Sequence, residues 1–346
     1  MKKAVLFILS IVLGIALFIA VLNYIGIEDI IGSFESFSWP IIAVVVGLTF
    51  VQIFIVMLRW KMVLDSQGDK VPLRKLISPK FVGFTVSFLT PGLFVGGEPI
   101  RAYLLNKNTG IRLSKSFSSI IVDKILDFTY PLPFLIWALI YAMWKYDINW
   151  EAVGVFVLAL VFLIFLLLVF YIQTFRGRGF FSSLARWFRL DHFAWSRKMI
   201  EKGKYFEKLI ILFFNEKPAF VAKGLFLSFL VGLVIFIQFM VILNALGIEA
   251  STIDILIMMV FMILAFLVPV PASIGSFEAS QALVFTALGH PASAGVAFTF
   301  IIRMAELGKL AVGLSYLSNI GLKFVRSIPG QNGLHDEDKE EDNSRE

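Results

Sequence analysis

The sequence predicts an all-α polytopic membrane protein built from two inverted repeats, each a helix, a re-entrant hairpin and a helix, with about six full spans plus the two hairpins. Three observations predict it. The chain is 58% hydrophobic and only 16% charged, where a soluble domain carries about a quarter charged residues. Several apolar stretches reach the length of about twenty residues that a helix needs to cross a ~30 Å hydrocarbon core. Two further apolar segments break in the same way: FLTPGLFVGGEPIRA over 88–102 and FLVPVPASIGSFEAS over 266–280. Each runs into proline, passes through glycine and meets a glutamate, Pro91 leading to Glu98 and Pro271 to Glu278 at equal spacing. Proline removes a helical donor and glycine loosens the backbone. A bilayer tolerates this only where the freed groups are buried in protein or face a wet cavity. Paired interruptions in two halves of a chain point to a transport site. An outer-membrane barrel would need short alternating segments, and none is present.

In chain order, the first apolar run (4–24) follows Lys2 and Lys3. It is too long for a signal peptide and no small-x-small cleavage site follows, so it reads as an uncleaved span. Spans at 39–58, 117–144, 152–173, 219–246 and 295–317 come after it. Between them, 81–93 is too short to cross and 253–268 is marginal, and each precedes a second short apolar stretch, 100–105 and 279–288. A hairpin with its tip inside the membrane fits both. The tips are Pro91, Gly92, Gly96 and Gly97 in the first, and Pro269, Pro271 and Gly275 in the second.

Basic residues set the orientation. They crowd 59–80 (Arg59 to Lys80), 101–115 (Arg101 to Lys115) and the loop at 174–218, so all three are expected on the cytoplasmic side. The alternate loops carry Glu28, Asp29 and Glu35, then Asp147 and Glu151, then Glu249 and Asp254, with Lys145 the one exception. The first hairpin therefore enters from the cytoplasm and returns there. The second enters from outside and returns outside, near His290. Helix, hairpin, helix occurs twice with opposite orientation, at 39–144 and 219–317, inside a transmembrane domain at 1–326. Both termini fall in the cytoplasm of a multi-pass cell-membrane protein. Phe181, Leu184, Trp187 and Phe188 recur at helical spacing among arginines, which suits a helix on the membrane surface and equally a loop obeying the charge rule. The polar acidic tail at 327–346 reads as disordered.

Charges inside the apolar segments carry the chemistry. Glu98 and Arg101 follow the first tip, and Asp123, Lys124 and Asp127 lie on the next helix. Glu278 follows the second tip, and Arg303, Glu306 and Lys309 lie on the last helix. Each costs about 2.5–3.5 kcal/mol at a helix centre, so unpaired they would cost on the order of 25 kcal/mol, more than a fold's net stability. They must pair or line a hydrated cavity. Asp123 and Asp127 share a helical face, Lys124 reaches Asp127, and Arg303, Glu306 and Lys309 form a stripe. Pure ion pairing that locks the two repeats together is the bland alternative. As a substrate site, charges of both signs suit an amphiphile with a phosphate headgroup: Arg101, Lys124, Arg303 and Lys309 for the phosphate, the acids for hydroxyls, amines or proton relay.

Other classes find little support. The net charge of +6 comes from the basic loops and needs no nucleic acid. With no cysteine, disulfides, thiolate nucleophiles and Cys-based metal sites are excluded. His192, His290 and His335 are scattered, so no zinc-type cluster forms. No nucleophile elbow or phosphate-binding loop is present. No metal and no cofactor is expected.

The segments LRWKMVL (58–64), TPGLFVGGEPIRAYLL (90–105), VDKILD (122–127), VPVPASIGSFEA (268–279) and RMAELGK (303–309) resemble the flippase-like integral membrane family that shares the transmembrane region of lysylphosphatidylglycerol synthases, over about residues 1–325. The family pattern has a glutamate where this chain has Asp123. The resemblance implies two inverted re-entrant hairpins and a lipid-handling role. In the synthases this region is similar to a translocase for aminoacylated phospholipid, while a separate soluble domain makes the lipid. That domain is not found in the 346 residues, so aminoacyl transfer is not expected. The resulting expectation is a translocase for a phosphate-headed phospholipid or polyprenyl-linked lipid. The alternatives are a membrane transferase acting on a lipid carrier and a non-catalytic partner of a lipid-modifying enzyme. Expected partners are membrane lipids with anionic headgroups, then a lipid-modifying enzyme or a second copy of the chain.

Overall fold

A computed structural model describes residues 2–34, 37–90, 96–129, 150–180, 182–183 and 194–326, with 132, 136–137, 140–141 and 144 between them. Pro91 and Gly92, most of 130–144, the positions Phe181, Leu184, Trp187 and Phe188, and the acidic tail lie outside the described residues.

Every regular element among the described residues is helical. α1 (Lys2–Ile25) and α2 (Ile27–Phe34) meet at Gly26 with an 83° bend. Gly26 has φ +94°, which only glycine adopts without strain. α3 (Trp39–Ser66), α4 (Arg74–Leu89), α5 (Glu98–Thr109) and α6 (Leu113–Thr129) follow. Then come α7 (Trp150–Phe175) and α8 (Ala194–Glu216). The chain continues with α9 (Pro218–Ala245), α10 (Thr252–Leu267), α11 (Ser276–Ala287) and α12 (Ala292–Arg326).

The two predicted units have matching elements. α3 and α9 are both 28 residues, α4 and α10 both 16, and α5 and α11 both 12. Both long helices carry proline in the first turn, Pro40 and Pro218, where no intrahelical N–H is lost. These two are long and apolar enough to cross a membrane, and the bent α1–α2 pair qualifies as a third if counted as one span. They pack against each other in antiparallel sense. Gln238 Nε2 donates to the Val45 carbonyl (3.0 Å) and to Thr49 Oγ1 (2.7 Å), while at the other end Arg59 reaches Ser228, so the order of contacts reverses along the two chains. Outward faces of α1, α3, α7 and α9 expose Leu13, Phe54, Phe162 and Phe226 among many large apolar side chains, as lipid-facing surfaces do.

Each predicted hairpin is a pair of short helices. α4 and α5 cross at two glycines: a Cβ on Gly97 would fall on the Gly83 carbonyl oxygen. The Gly97 N–H donates to Ser87 Oγ at 2.9 Å. α10 starts with a capping box in which Ser251 and Asp254 satisfy each other's backbone N–H. It ends in a 3₁₀ turn (Pro271–Ser273), where Ala272 and Ser273 hold left-handed φ of 53° and 51°. Gly275 packs against the α1 backbone at Gly14. α4 also touches the 3₁₀ turn, so the two hairpins meet.

Helix limits differ from the sequence expectation. α3 runs on to Ser66 instead of stopping near 58, and α4 begins at Arg74 rather than 81. A hydropathy boundary stops at the first charge, but the helix continues because the charge is paired inside. Arg59 and Lys80, read as loop residues, are thus helical. α8 buries Ile210, Phe213 and Phe214 against Val122, Leu126 and Phe170, so this helix belongs to the packed body.

Candidate functional site

A buried guanidinium organises the first unit. Arg59 on α3 is 1% exposed, and its Nε donates to Asp123 Oδ1 at 2.7 Å. Its Nη1 donates to Asp127 Oδ1 at 2.8 Å and to Ser228 Oγ on α9 at 2.6 Å. Asp123 and Asp127 receive it together because four residues bring side chains onto one helical face. Arg101 on α5 occupies the other Asp123 oxygen through Nη2 at 3.0 Å, and its guanidinium stacks 3.7 Å above the Trp60 ring. The Trp60 indole in turn donates to Ser119 Oγ at 3.1 Å. α3, α5, α6 and α9 are therefore tied through one carboxylate pair. Burial of this kind is tolerated only when each charge is matched and hydrogen-bonded.

The two tip glutamates behave alike. Glu98, in the first turn of α5, pairs with Lys124 on α6 (Nζ to Oε1, 3.1 Å). Glu278, in the first turn of α11, pairs with Arg303 on α12 through Nε and through Nη2 to Oε2 at 3.0 Å. Each first-turn acid also sits well with the helix dipole. Arg303 does more: Nη1 donates to the Ala272 carbonyl (2.9 Å) and Nη2 to the Ser273 carbonyl (3.0 Å). Glu278 Oε2 accepts from the Gly275 N–H at 2.8 Å. The left-handed tip is thereby clamped, which offsets the strain of two non-glycine residues at positive φ.

Between the units lies a cavity of about 560 Å³. Its walls come from α3, α4 and α6 on one side and α9, α10 and α12 on the other. Lys80, Lys124, Asp127 and Lys309 contribute the charge. Phe84, Phe128, Phe236, Met259, Ile263 and Phe266 are among the apolar side chains that make up most of the rest. Lys309 Nζ stands 4.6 Å from the Phe84 ring centre, a cation–π contact. Asp127 keeps 43% of its side chain exposed although Arg59 holds one oxygen, so it presents charge to the cavity. The volume falls within the range of small-molecule sites, and the amphipathic lining matches a polar head joined to an apolar tail.

The structure thus divides the nine sequence-predicted residues. Lys124, Asp127 and Lys309 line the cavity. Arg101 and Asp123 stand behind that wall in the Arg59 network, and Glu98 joins it through Lys124. Glu278 and Arg303 form the clamp on the second tip and are not cavity-lining residues. Glu306 is buried on α12, one turn from Arg303 and from Lys309. Of the tip residues, Gly96 and Gly97 precede α5, and Pro269, Pro271 and Gly275 surround the 3₁₀ turn. Sequence reasoning missed Arg59, Lys80 and Ser228 as site residues. Arg59 had a signal: the helical run Trp60, Met62, Val63, Leu64 continues beyond it, which places it inside a span. Lys80 lies directly before the apolar run at 81 and could have been read one turn further into the helix.

Comparison with known proteins is consistent with this picture. The family described as the lysylphosphatidylglycerol synthase TM region matches residues 7–313. A UPF0104 membrane protein of Methanothermobacter thermautotrophicus is 24% identical over 321 residues, covering 90% of this chain and 94% of its own. One from Pyrococcus horikoshii is 25% identical over 331 residues, covering 92% and 98%. Another, from Methanocaldococcus jannaschii, is 22% identical over 295 residues, covering 83% and 87%. No solved structure matches the chain.

Proposed function

Because the chain belongs to the lysylphosphatidylglycerol synthase transmembrane-region family, we propose that it is a lipid translocase of the cytoplasmic membrane, moving a phosphate-headed phospholipid or polyprenyl-linked lipid through the cavity between its two halves. The observation that carries this reading is the lining: charge from Lys80, Lys124, Asp127 and Lys309 beside a wall of phenylalanine, methionine and isoleucine. The headgroup takes the charged end and the tails follow the apolar wall, still in contact with the bilayer.

Two inverted repeats at 39–144 and 219–317 give such a cavity access to both leaflets in turn. The matched helix lengths and the antiparallel α3–α9 pair support that arrangement, as does the opposite charge of the loops flanking each hairpin. In this reading about six spans and two hairpins form the domain at 1–326, with both termini and the basic loop at 174–218 in the cytoplasm. Lysines of the cavity wall, Lys309 among them, hold the phosphate, Asp127 orients hydroxyls or amines near it, and the Arg59–Asp123–Arg101 network and the Glu278–Arg303 clamp keep the walls in position.

Proteoliposomes carrying a short-chain fluorescent phospholipid test this. The wild type is expected to carry label from the inner to the outer leaflet, read as the fraction bleached by an impermeant quencher. Asp127→Asn removes the charge but keeps the shape, and is expected to slow the rate about tenfold or more, the value of one charge-assisted hydrogen bond. Movement no faster than in protein-free vesicles, for diester and polyprenyl phosphates alike, would falsify the proposal.

A further inference from the structure

The charged residues of the cavity wall differ in their ion pairs. Lys124 is joined to Glu98 and Asp127 to Arg59. Lys80 and Lys309 are different: among the described residues neither has a carboxylate within 4.0 Å. Glu306, three positions before Lys309 on α12, attracts it from beyond ion-pair distance, but it is buried and does not line the cavity. Asp127, the one acid on the wall, already accepts from Arg59. Two lysines therefore face the same space, Lys80 from α4 and Lys309 from α12, and among the described residues neither forms an ion pair. Phe84 lies on the same wall and its ring is in cation–π contact with Lys309.

A pair of cations in an apolar setting is expensive unless something in the space answers it. From this geometry we infer that the lipid taken by the cavity ends in a doubly charged phosphate, a phosphomonoester or diphosphate, with Lys80 and Lys309 each donating to it. This rests on the cavity being the lipid site proposed above and narrows its substrate class. A phosphomonoester carries about −1.5 to −2 charges at neutral pH and three acceptor oxygens, enough for two lysines to bind separate oxygens. A diester headgroup brings one charge and leaves one lysine unanswered. A headgroup bearing its own amine would place a third cation beside Lys80 and Lys309, and is disfavoured. Lysine suits the task because its ammonium acts as a point charge free to approach a phosphate from several directions. The phenylalanine-rich wall assigns the phosphate to a lipid and not to a soluble phosphate.

The test is binding selectivity of the full-length protein in mild detergent, read by native mass spectrometry with competing ligands. The probes are phosphatidic acid, phosphatidylglycerol and phosphatidylcholine with the same acyl chains, and inorganic pyrophosphate. Phosphatidic acid is expected to bind about tenfold more tightly than phosphatidylglycerol, with phosphatidylcholine weaker still and pyrophosphate unable to displace the lipid at equal concentration. Lys80→Gln and Lys309→Gln are each expected to abolish most of that preference, while the arginine replacements retain it. Lys61→Gln serves as the control, since Lys61 pairs with Asp65 away from the cavity, and is expected to leave the preference intact. Thermal midpoints of the variants establish that each is folded. Equal binding of the monoester and the diester, or a preference that survives both glutamine variants, overturns the inference. Pyrophosphate binding as tight as phosphatidic acid overturns the lipid assignment. The two readings separate cleanly: selective binding without transbilayer movement removes the translocase and leaves this inference, whereas movement without headgroup preference does the reverse.

Discussion

A guanidinium withdrawn from both water and headgroups has to find its counter-charges inside the protein, and Arg59 finds two carboxylates and a hydroxyl. Replacing it by methionine keeps most of the volume but leaves Asp123 and Asp127 facing each other with Arg101 alone to answer them. Breaking such a pair costs about 3–5 kcal/mol. Arg59→Met is therefore expected to lower the thermal midpoint of the purified protein markedly, measured by tryptophan fluorescence in detergent. An unchanged midpoint would mean that the network contributes little to the fold. Arg59→Lys should fall between, since lysine cannot hold both aspartates and Ser228 in a fixed fork. At this scale the sequence was half legible. The acids at 123 and 127 stood out because their surroundings are apolar, while Arg59 and Lys80 were hidden because basic residues at the end of an apolar run also read as a cytoplasmic loop.

The helical elements were more readable, because proline and glycine mark a break whatever surrounds it. Both hairpins announced themselves through the same Pro–Gly–Glu order, and both appear as pairs of short helices with the glutamate in the first turn of the second arm. What held each tip could not be read. In the first hairpin Gly83 and Gly97 bring the two arms close together, and in the second Arg303 reaches carbonyls some thirty positions back. Such contacts join residues distant in sequence and leave no local pattern. The hairpins also carry the topology prediction. With no native cysteine to remove, Lys107→Cys after the first hairpin and His290→Cys after the second can be labelled singly in intact cells. An impermeant maleimide is expected to modify position 290 from outside and position 107 only after the membrane is opened. Labelling of both from the same side would remove the inverted arrangement.

For the whole molecule, α3–α5 and α9–α11 have matched lengths, and the order of contacts along α3 and α9 is reversed, which is what the proposed pair of inverted units requires. Composition alone settled that the chain is an all-helical membrane protein, and the family match agrees. The cavity was not legible, since it is made by six helices whose mutual placement depends on packing. That cavity is where the account is most exposed. Gly232 on α9 lies in its wall, so Gly232→Phe puts a ring into the space while leaving every lysine and Asp127 in place. The decisive measurement is the rate of lipid movement in vesicles reconstituted with this variant, alongside a thermal midpoint to show that it folds. A folded protein whose transport falls to the protein-free rate is the expected result; a folded protein that transports at the wild-type rate with its cavity filled would contradict the account.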